Sequence, residues 1–550
     1  MLAVWLAGCG SAPVEGPGSE GGGSSGSTSG GVPTTTMVVN GSTGAAEGTG
    51  TGVAETGVNA TGETGVGTET GGGTGTTGEP ESPLRYDEVR QKSAHNSFQR
   101  DEALIDMIAV HRVRSLEFDV HVGKTLEDAV AGDWFVYHTD VVDDDSQCRL
   151  LSDCLSVVVG AAAAIPEHEV ITLWVDLKDG FAGGHQPADL DARLIAAFAG
   201  RLFTPKELVT GCPGATTVRG AVTTCGWPEL AALRGRVLVA LTGGSPLGDY
   251  VGGDAAMRAA FVAPALTADE LAGHPEAAFV NLEAGDVAVA TAARAAGLVS
   301  RVWVLDDVEA WDGAVAAGAH HLATNQVNAW QDPWSTTAGA GGWPFTCIDA
   351  CEAPEREKGQ VLRVDVDSGD LWDASDEALL VRWPLDGAVA VSGLLGAVSS
   401  HVEPFIKNCV GGRAGEAADA AYLAVCRPAD DEPLRVQVRA AAGGETEAFA
   451  MGAVDGFAAE LPAYARFERD ADGVCARGYG SIDGVAWTPI AERCFDEALT
   501  HVGVMASGHG AGATSVWTFG LTATPGGPLL AADATAVALG GAVGAAVDEY

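Results

Sequence analysis

Acids, amides and histidines recur in the first third of the chain at positions where extended runs end. One run closes in Ala94-His95-Asn96-Ser97. A second, RSLEFDVH, sets Glu117 and Asp119 two residues apart. In a strand that spacing puts both carboxylates on one face, with Leu116, Phe118 and Val120 on the other. A third run, WFVYHTD, ends in His138, and a fourth, VITLWVDLKD, carries Asp176 and Lys178, again two apart. Carboxylates pointing into a packed interior are costly unless they are paired or hold a cation. Asn96, Glu117, Asp119 and Asp176 form an oxygen-only donor set, which suits a hard cation, calcium before magnesium. His95 and His138 on either side suit general acid and base work on a phosphate ester.

These residues need a frame that brings four strand ends together. Between Leu84 and about Pro344, short β-branched runs alternate with Ala/Leu-rich helical stretches. The predicted strands are Val89–Ser93, Ser115–His121, Trp134–His138, Val170–Leu177, Val237–Leu241, Phe279–Leu282, Val302–Leu305 and His321–Thr324. Helical segments are expected at Leu190–Leu202, Pro228–Leu233 and Val287–Ala296. This rhythm is that of an α/β fold, a (β/α)8 barrel, whose chemistry sits at the C-terminal strand ends. An open doubly wound sheet would alternate similarly, but no GxGxxG follows the first strand.

In this order and spacing, SAHNSF, SLEFDVH, VYHTD and LWVDLKD resemble phosphatidylinositol-specific phospholipase C, and more narrowly its calcium-dependent bacterial branch. The resemblance covers about residues 86 to 330, with TNQVN at Thr324–Asn328 similar to that branch's closing strand. It implies a PLC-like phosphodiesterase barrel that cleaves the glycerol–phosphate bond of phosphoinositides. Diacylglycerol would leave as the inositol 2-hydroxyl attacks phosphorus, and water would later open the cyclic phosphate. By the same resemblance, His138 would protonate the leaving oxygen. His95 would contact the phosphoryl oxygens, and His95 or Glu117 would act as base. Asn96, Glu117, Asp119 and Asp176 would hold calcium, and Lys178 would pair with the substrate phosphate. Asp119 stands where metal-independent relatives carry an arginine. The His-Arg-Gly and Glu-Asn motifs of glycerophosphodiester phosphodiesterases, the alternative barrel reading, are missing.

Composition bounds the partners. Lys and Arg total 31 against 74 Asp and Glu, a formal net charge of −43. This opposes nucleic-acid binding, which needs a basic surface, and electrostatic docking to anionic membranes. Bases to grip extra headgroup phosphates are scarce near the motifs, so phosphatidylinositol or a related diester is expected over a polyphosphoinositide. Asp143-Asp144-Asp145, just after His138, would repel anionic lipid.

The remaining chain reads as export machinery and an accessory module. Residues 1–9 end in Leu6-Ala7-Gly8-Cys9, which resembles a bacterial lipobox and makes Cys9 the expected lipid anchor to the cell envelope, at the outer membrane or cell surface. No Lys or Arg precedes Arg85, so the basic flank of a signal peptide is missing. Residues 10–83, rich in Gly, Thr, Ser and Glu, lack any apolar period and read as a flexible tether. The other ten cysteines fall in sequential couples, as expected of five local disulfides in an oxidising compartment. The barrel is assigned to 84–350. From 355 to 525, alternating runs separated by Asp-Gly turns predict an all-β domain. It resembles the jelly-roll sandwiches of concanavalin-like or laminin-G-like modules, with Trp487 and Trp517 as candidates to stack on a glycan. Residues 526–550 read as an Ala/Gly-rich tail. The reading from another class is a surface lipoprotein that binds glycan and carries an inert barrel.

Overall fold

The computed structural model describes residues 83–337, 343–351, 361–367, 369–398, 405–428, 432–509, 514–540, 542 and 544–548. All belong to the unit Glu79–Tyr550. The lipobox and nearly all of the tether lie outside the described residues.

Strand β1 (Val89–Ala94), β2 (Ser115–His121), β3 (Phe135–Val136), β4 (Ile171–Leu177), β5 (Val237–Thr242), β6 (Phe261–Val262), β7 (Phe279–Glu283), β8 (Val299–Trp303) and β9 (His321–Thr324) build the first domain. Eight are parallel, in the order β6-β5-β4-β2-β1-β9-β8-β7. A parallel bridge from Val262 to Ala277 closes the ring. The barrel is therefore as expected, with one exchange of strands. The run ending in His138 yields β3, a two-residue antiparallel partner of β2 rather than a stave. The missing stave is β6, too short to register as a β-branched run. The expected strand Val302–Leu305 also begins earlier, at Val299.

Period-two patterning sorts the strand side chains. Leu116, Phe118 and Val120 of β2 and Leu173 and Val175 of β4 face outward onto helices α1 (Leu104–Ala109) and α2 (Leu151–Ala164). The apolar stripe of α2, Leu151, Cys154, Leu155, Val158 and Ala161, lies on this side. Inward residues stack in layers. Near the floor, Tyr86 Oη bonds Thr172 at 2.7 Å and His321 at 3.0 Å, and Ser115 Oγ accepts from Trp174 Nε1 at 2.9 Å. Above lie Glu117 and Arg301, then Asp119 and Asp176 at the mouth. Aromatic bulk closes the floor, so the barrel is a packed core whose chemistry is open at one end.

The second domain is two antiparallel sheets, of eight and seven strands, sharing one apolar core. The predicted Asp472-Gly473 and Asp483-Gly484 turns connect successive strands, with both glycines at positive φ. The expected tail is in part sandwich. Thr535–Leu539 pairs with Ala378–Trp383, and Gly544–Asp548 with Val361–Val366. All five local disulfides form: Cys148–Cys154, Cys212–Cys225, Cys347–Cys351, Cys409–Cys426 and Cys475–Cys494. The sandwich seats on the α1 and α2 side of the barrel. Arg427 pairs with buried Asp106 of α1, Tyr464 Oη donates to the Gly160 carbonyl, and Trp517 stacks on Trp330 at 5.4 Å.

Candidate active site

The loop after β1 turns sharply at Asn96, whose left-handed backbone (φ 47°) suits a short amide side chain. That turn aims the Asn96 N–H at Glu117 Oε2, at 3.0 Å. The same oxygen accepts from Arg301 of β8 at 2.6 Å, and Arg301 also donates to Asn281 Oδ1 at 3.0 Å. Burial would raise the Glu117 carboxyl, but Arg301, His95 and the Asn96 N–H hold it below its ordinary value. Glu117 is thus an anion fixed inside the barrel.

His95 stands beside it, with Nε2 3.9 Å from Glu117 Oε2 and its ring stacked on Trp303 at 5.8 Å. Its other nitrogen, Nδ1, lies 3.1 Å from Asn325 Oδ1. The orientation of that amide is decided by Asp306, which accepts from the Asn325 backbone N–H and Nδ2, each at 2.6 Å. A carboxylate only accepts, so the Asn325 amide must turn its NH2 to Asp306 and its oxygen to His95. Nδ1 then carries the proton, and Nε2 presents a lone pair on the Glu117 side. Burial pushes the imidazole below its ordinary value, favouring the neutral form. Between the two candidates for the base, this geometry favours His95.

The upper layer holds Asp119 and Asp176, with Lys178 between them at 3.0 and 2.5 Å. Asp176 Oδ1 also accepts from Thr242 at 2.6 Å. Lys178, expected to meet substrate phosphate, is here the internal counter-ion of the acids. Burial opposes its charge, but Asp119 and Asp176 outweigh that and raise it above its ordinary value. Asp119 is pushed up to about 8 by burial and by the neighbouring Glu117 and Asp176. Three carboxylates therefore face two fixed cations, a hard oxygen set with a surplus of negative charge. Among the described residues, no three acid, histidine or cysteine side chains are already drawn together around a metal position. In donor chemistry Asn96, Glu117, Asp119 and Asp176 fit calcium, and the unrelieved burden on Asp119 is what a cation would relieve.

His138 stands outside this network, exposed on the loop after β3. Its Nδ1 pairs with Asp143 Oδ2 at 2.8 Å. Gln99, in the His95 loop, donates to Asp143 Oδ1 at 2.8 Å and so ties the two histidine loops together. Tyr137 stacks flat on His121 at 3.8 Å beside them. Two acids feared as repulsive are engaged: Asp143 with His138, and Asp144 with Lys124 at 3.0 Å. Arg301, Asn281, Trp303, Asp306 and Thr242 carried no recognisable signal, because each matters only through a partner distant in sequence. Asn325 lies within TNQVN, whose sequence signals only a closing strand.

A closed parallel barrel with paired acids and histidines at its C-terminal mouth defines a phosphodiesterase of the PLC-like class. Residues 132–325 match the family model "Phosphoinositide phospholipase C, Ca2+-dependent". The match lies within the barrel, and the chain is a phosphodiesterase. The match takes in His138, Asp176 and Lys178 and begins after His95, Asn96, Glu117 and Asp119. Among solved structures, a calcium-dependent phosphoinositol-specific phospholipase C from Pseudomonas sp. is 25% identical, over 48% of this chain and 95% of that one, with a TM-score of 0.43. A calcium-dependent phosphatidylinositol-specific phospholipase C from Streptomyces antibioticus is 21% identical, over 44% and 94%, at 0.38. No curated protein sequence matches the chain.

Proposed function

We propose that the barrel cleaves the glycerol–phosphate bond of phosphatidylinositol-like lipids in two steps through a cyclic inositol phosphate. The observation that carries this reading is the bare Nε2 of His95, held beside a buried, arginine-paired Glu117 at the acid-lined mouth. In the first step the inositol 2-hydroxyl oxygen bonds to phosphorus as its proton passes to His95 Nε2. The phosphorus–glyceryl oxygen bond breaks, and His138 gives that oxygen its proton, releasing diacylglycerol. In the second step water opens the ring with the proton roles reversed. Asn96, Glu117, Asp119 and Asp176 would hold calcium, which when bound offsets charge on the phosphoryl oxygens and acidifies the attacking hydroxyl. Lys178 and Arg301 keep the acid cluster ordered, and Asp143 orients His138.

Cys9 as a lipid anchor would hold the enzyme at the bacterial envelope, on the outer membrane or cell surface, within reach of lipid. Glycan binding by a jelly-roll lectin module has less support. Trp517 is stacked on Trp330, and Trp487 lies under Arg466 at 5.6 Å, so both candidate sugar platforms are used in packing. The test is turnover of phosphatidylinositol and of soluble glycerophosphodiesters, with and without chelator. Chelator-sensitive release of diacylglycerol, abolished in His95→Ala and His138→Ala, is the expected result. Inactivity on the whole panel, with glycan binding intact, would overturn the reading.

A further inference from the structure

Strand β1 carries a charge on the wrong side of the barrel wall. Gln91 and Ser93 point inward, where they meet His321 at 3.3 Å and Ser115 at 2.8 Å. By strand alternation Lys92 points outward, into the layer where a barrel ordinarily packs apolar side chains against helices. It is nonetheless only 4% exposed. The coil after β9 covers it, and Nζ donates to the Val327 carbonyl and to Ser335 Oγ, each at 3.0 Å. An ammonium has three N–H groups, so among the described residues these two bonds leave one over. Burial pulls the amine down to about 7, against the opposing pull of Asp332 and Glu102. A buried amine in that position keeps its charge best beside an anion.

Lys92 lines a cavity of about 200 Å3 at the seam between barrel and sandwich. The turn after α1 supplies two more bases to its wall, His111 and Arg112, and the sandwich supplies Trp517, stacked on Trp330. His111 Nδ1 accepts from the Ala329 N–H at 3.3 Å, so the neutral ring carries its proton on Nε2. The same ring stands edge-on to Trp330 at 4.7 Å, which fixes its orientation. Arg112 holds left-handed backbone, φ 58°, a conformation that glycine or asparagine adopts at less cost. Outliers of this kind gather at ligand sites. No Asp or Glu is among the described residues that line the cavity, in a chain with 74 acids against 31 Lys and Arg. The bases are thus concentrated locally, against the charge of the whole chain.

We propose that this seam cavity binds a small phosphate anion, inorganic phosphate or a phosphate monoester, on Lys92, His111 and Arg112. Donors spread over two segments suit an anion with several acceptor oxygens, whereas a planar carboxylate is matched by one guanidinium fork. The site lies on the outside of the barrel wall, apart from the mouth, and stands independently of the phospholipase reading. Binding there stabilises the folded chain by mass action. The test is titration calorimetry and thermal melting of the full-length chain in chelator, with inorganic phosphate, with glycerol phosphate, and with sodium chloride at matched ionic strength. Phosphate should bind and raise the melting temperature beyond the effect of chloride. The tighter of the two phosphate arms identifies the free anion or the ester as the ligand. Arg112→Asn should weaken binding about tenfold or more, the loss of a charge-assisted hydrogen bond. That variant should stay folded, because asparagine accepts left-handed backbone. Lys92→Met should weaken binding at least as much, and His95→Ala should leave it unchanged. No binding in either arm, a shift that chloride reproduces, equal affinity in Arg112→Asn, or loss of binding in His95→Ala would each overturn the proposal.

Discussion

Two of the acid–base clusters buried among the described residues are built on opposite plans. In the sandwich, Asp376 is fully buried between Arg413 and Arg439, with Arg439 bonding both of its oxygens at 2.7 Å. The surplus positive charge is spread over backbone carbonyls of Trp372, Asp373 and Ala417, and the Tyr422 ring lies under both guanidinium groups. At the barrel mouth the surplus is negative and the cluster is open. Glu117 has Arg301, Asp119 and Asp176 share Lys178, and Asp119 is still pushed up to about 8. A saturated, closed network is scaffold. An acid surplus at the open end of a barrel suits a cation.

The sharpest way to break this contrast is to remove the sandwich carboxylate. Asp376→Ala strands two buried arginines and should cost about 3–5 kcal/mol, read by chemical denaturation. A near-neutral result would mean that the carbonyls alone hold the guanidinium groups. His95→Ala should lower turnover about a thousandfold, within the usual span for a general base, and leave the melting temperature nearly unchanged. Loss of the fold instead would make His95 part of the scaffold.

The acid surplus also has a pH signature. Asp119 is raised in the folded chain, so the stability of its protonated form is full below its ordinary range, near pH 4, and is lost as pH rises through about 8. In chelator, Asp119→Asn should therefore melt higher than the parent at pH 8, with the gap closing toward pH 4. Calcium should narrow the gap at pH 8. A gap independent of pH would show that Asp119 carries no such burden. The smallest effect is expected at Trp303, whose stacking on His95 is worth about 1 kcal/mol, so Trp303→Leu should lower kcat by roughly five- to tenfold. An unchanged kcat would mean that Asn325 alone holds the ring.

The same two regions differ in how far they could be read from sequence. Glu117, Asp119, Asp176 and Lys178 were legible as inward pairs because strand alternation is local, and β2 and β4 obey it. Their partners were not. Arg301 meets Glu117 across 184 positions and Asp306 reaches His95 only through Asn325, pairings that the closing of the barrel makes. Strand β6 has only two residues and so carries no period, and the extended run around β3 continues past the two residues that pair. In the sandwich, Ala/Gly-rich Thr535–Leu539 and Gly544–Asp548 looked like a tail. Their strand form comes from edges offered by Ala378–Trp383 and Val361–Val366, not from their own propensity.

The central claim, that the acid-rich mouth is a calcium-dependent phospholipase C site, is tested most directly by phosphorus NMR of phosphatidylinositol micelles incubated with the full-length chain. A cyclic inositol phosphate resonance should grow, stop on addition of chelator and resume with excess calcium. Undiminished turnover in chelator, or hydrolysis that never passes through the cyclic product, would contradict it.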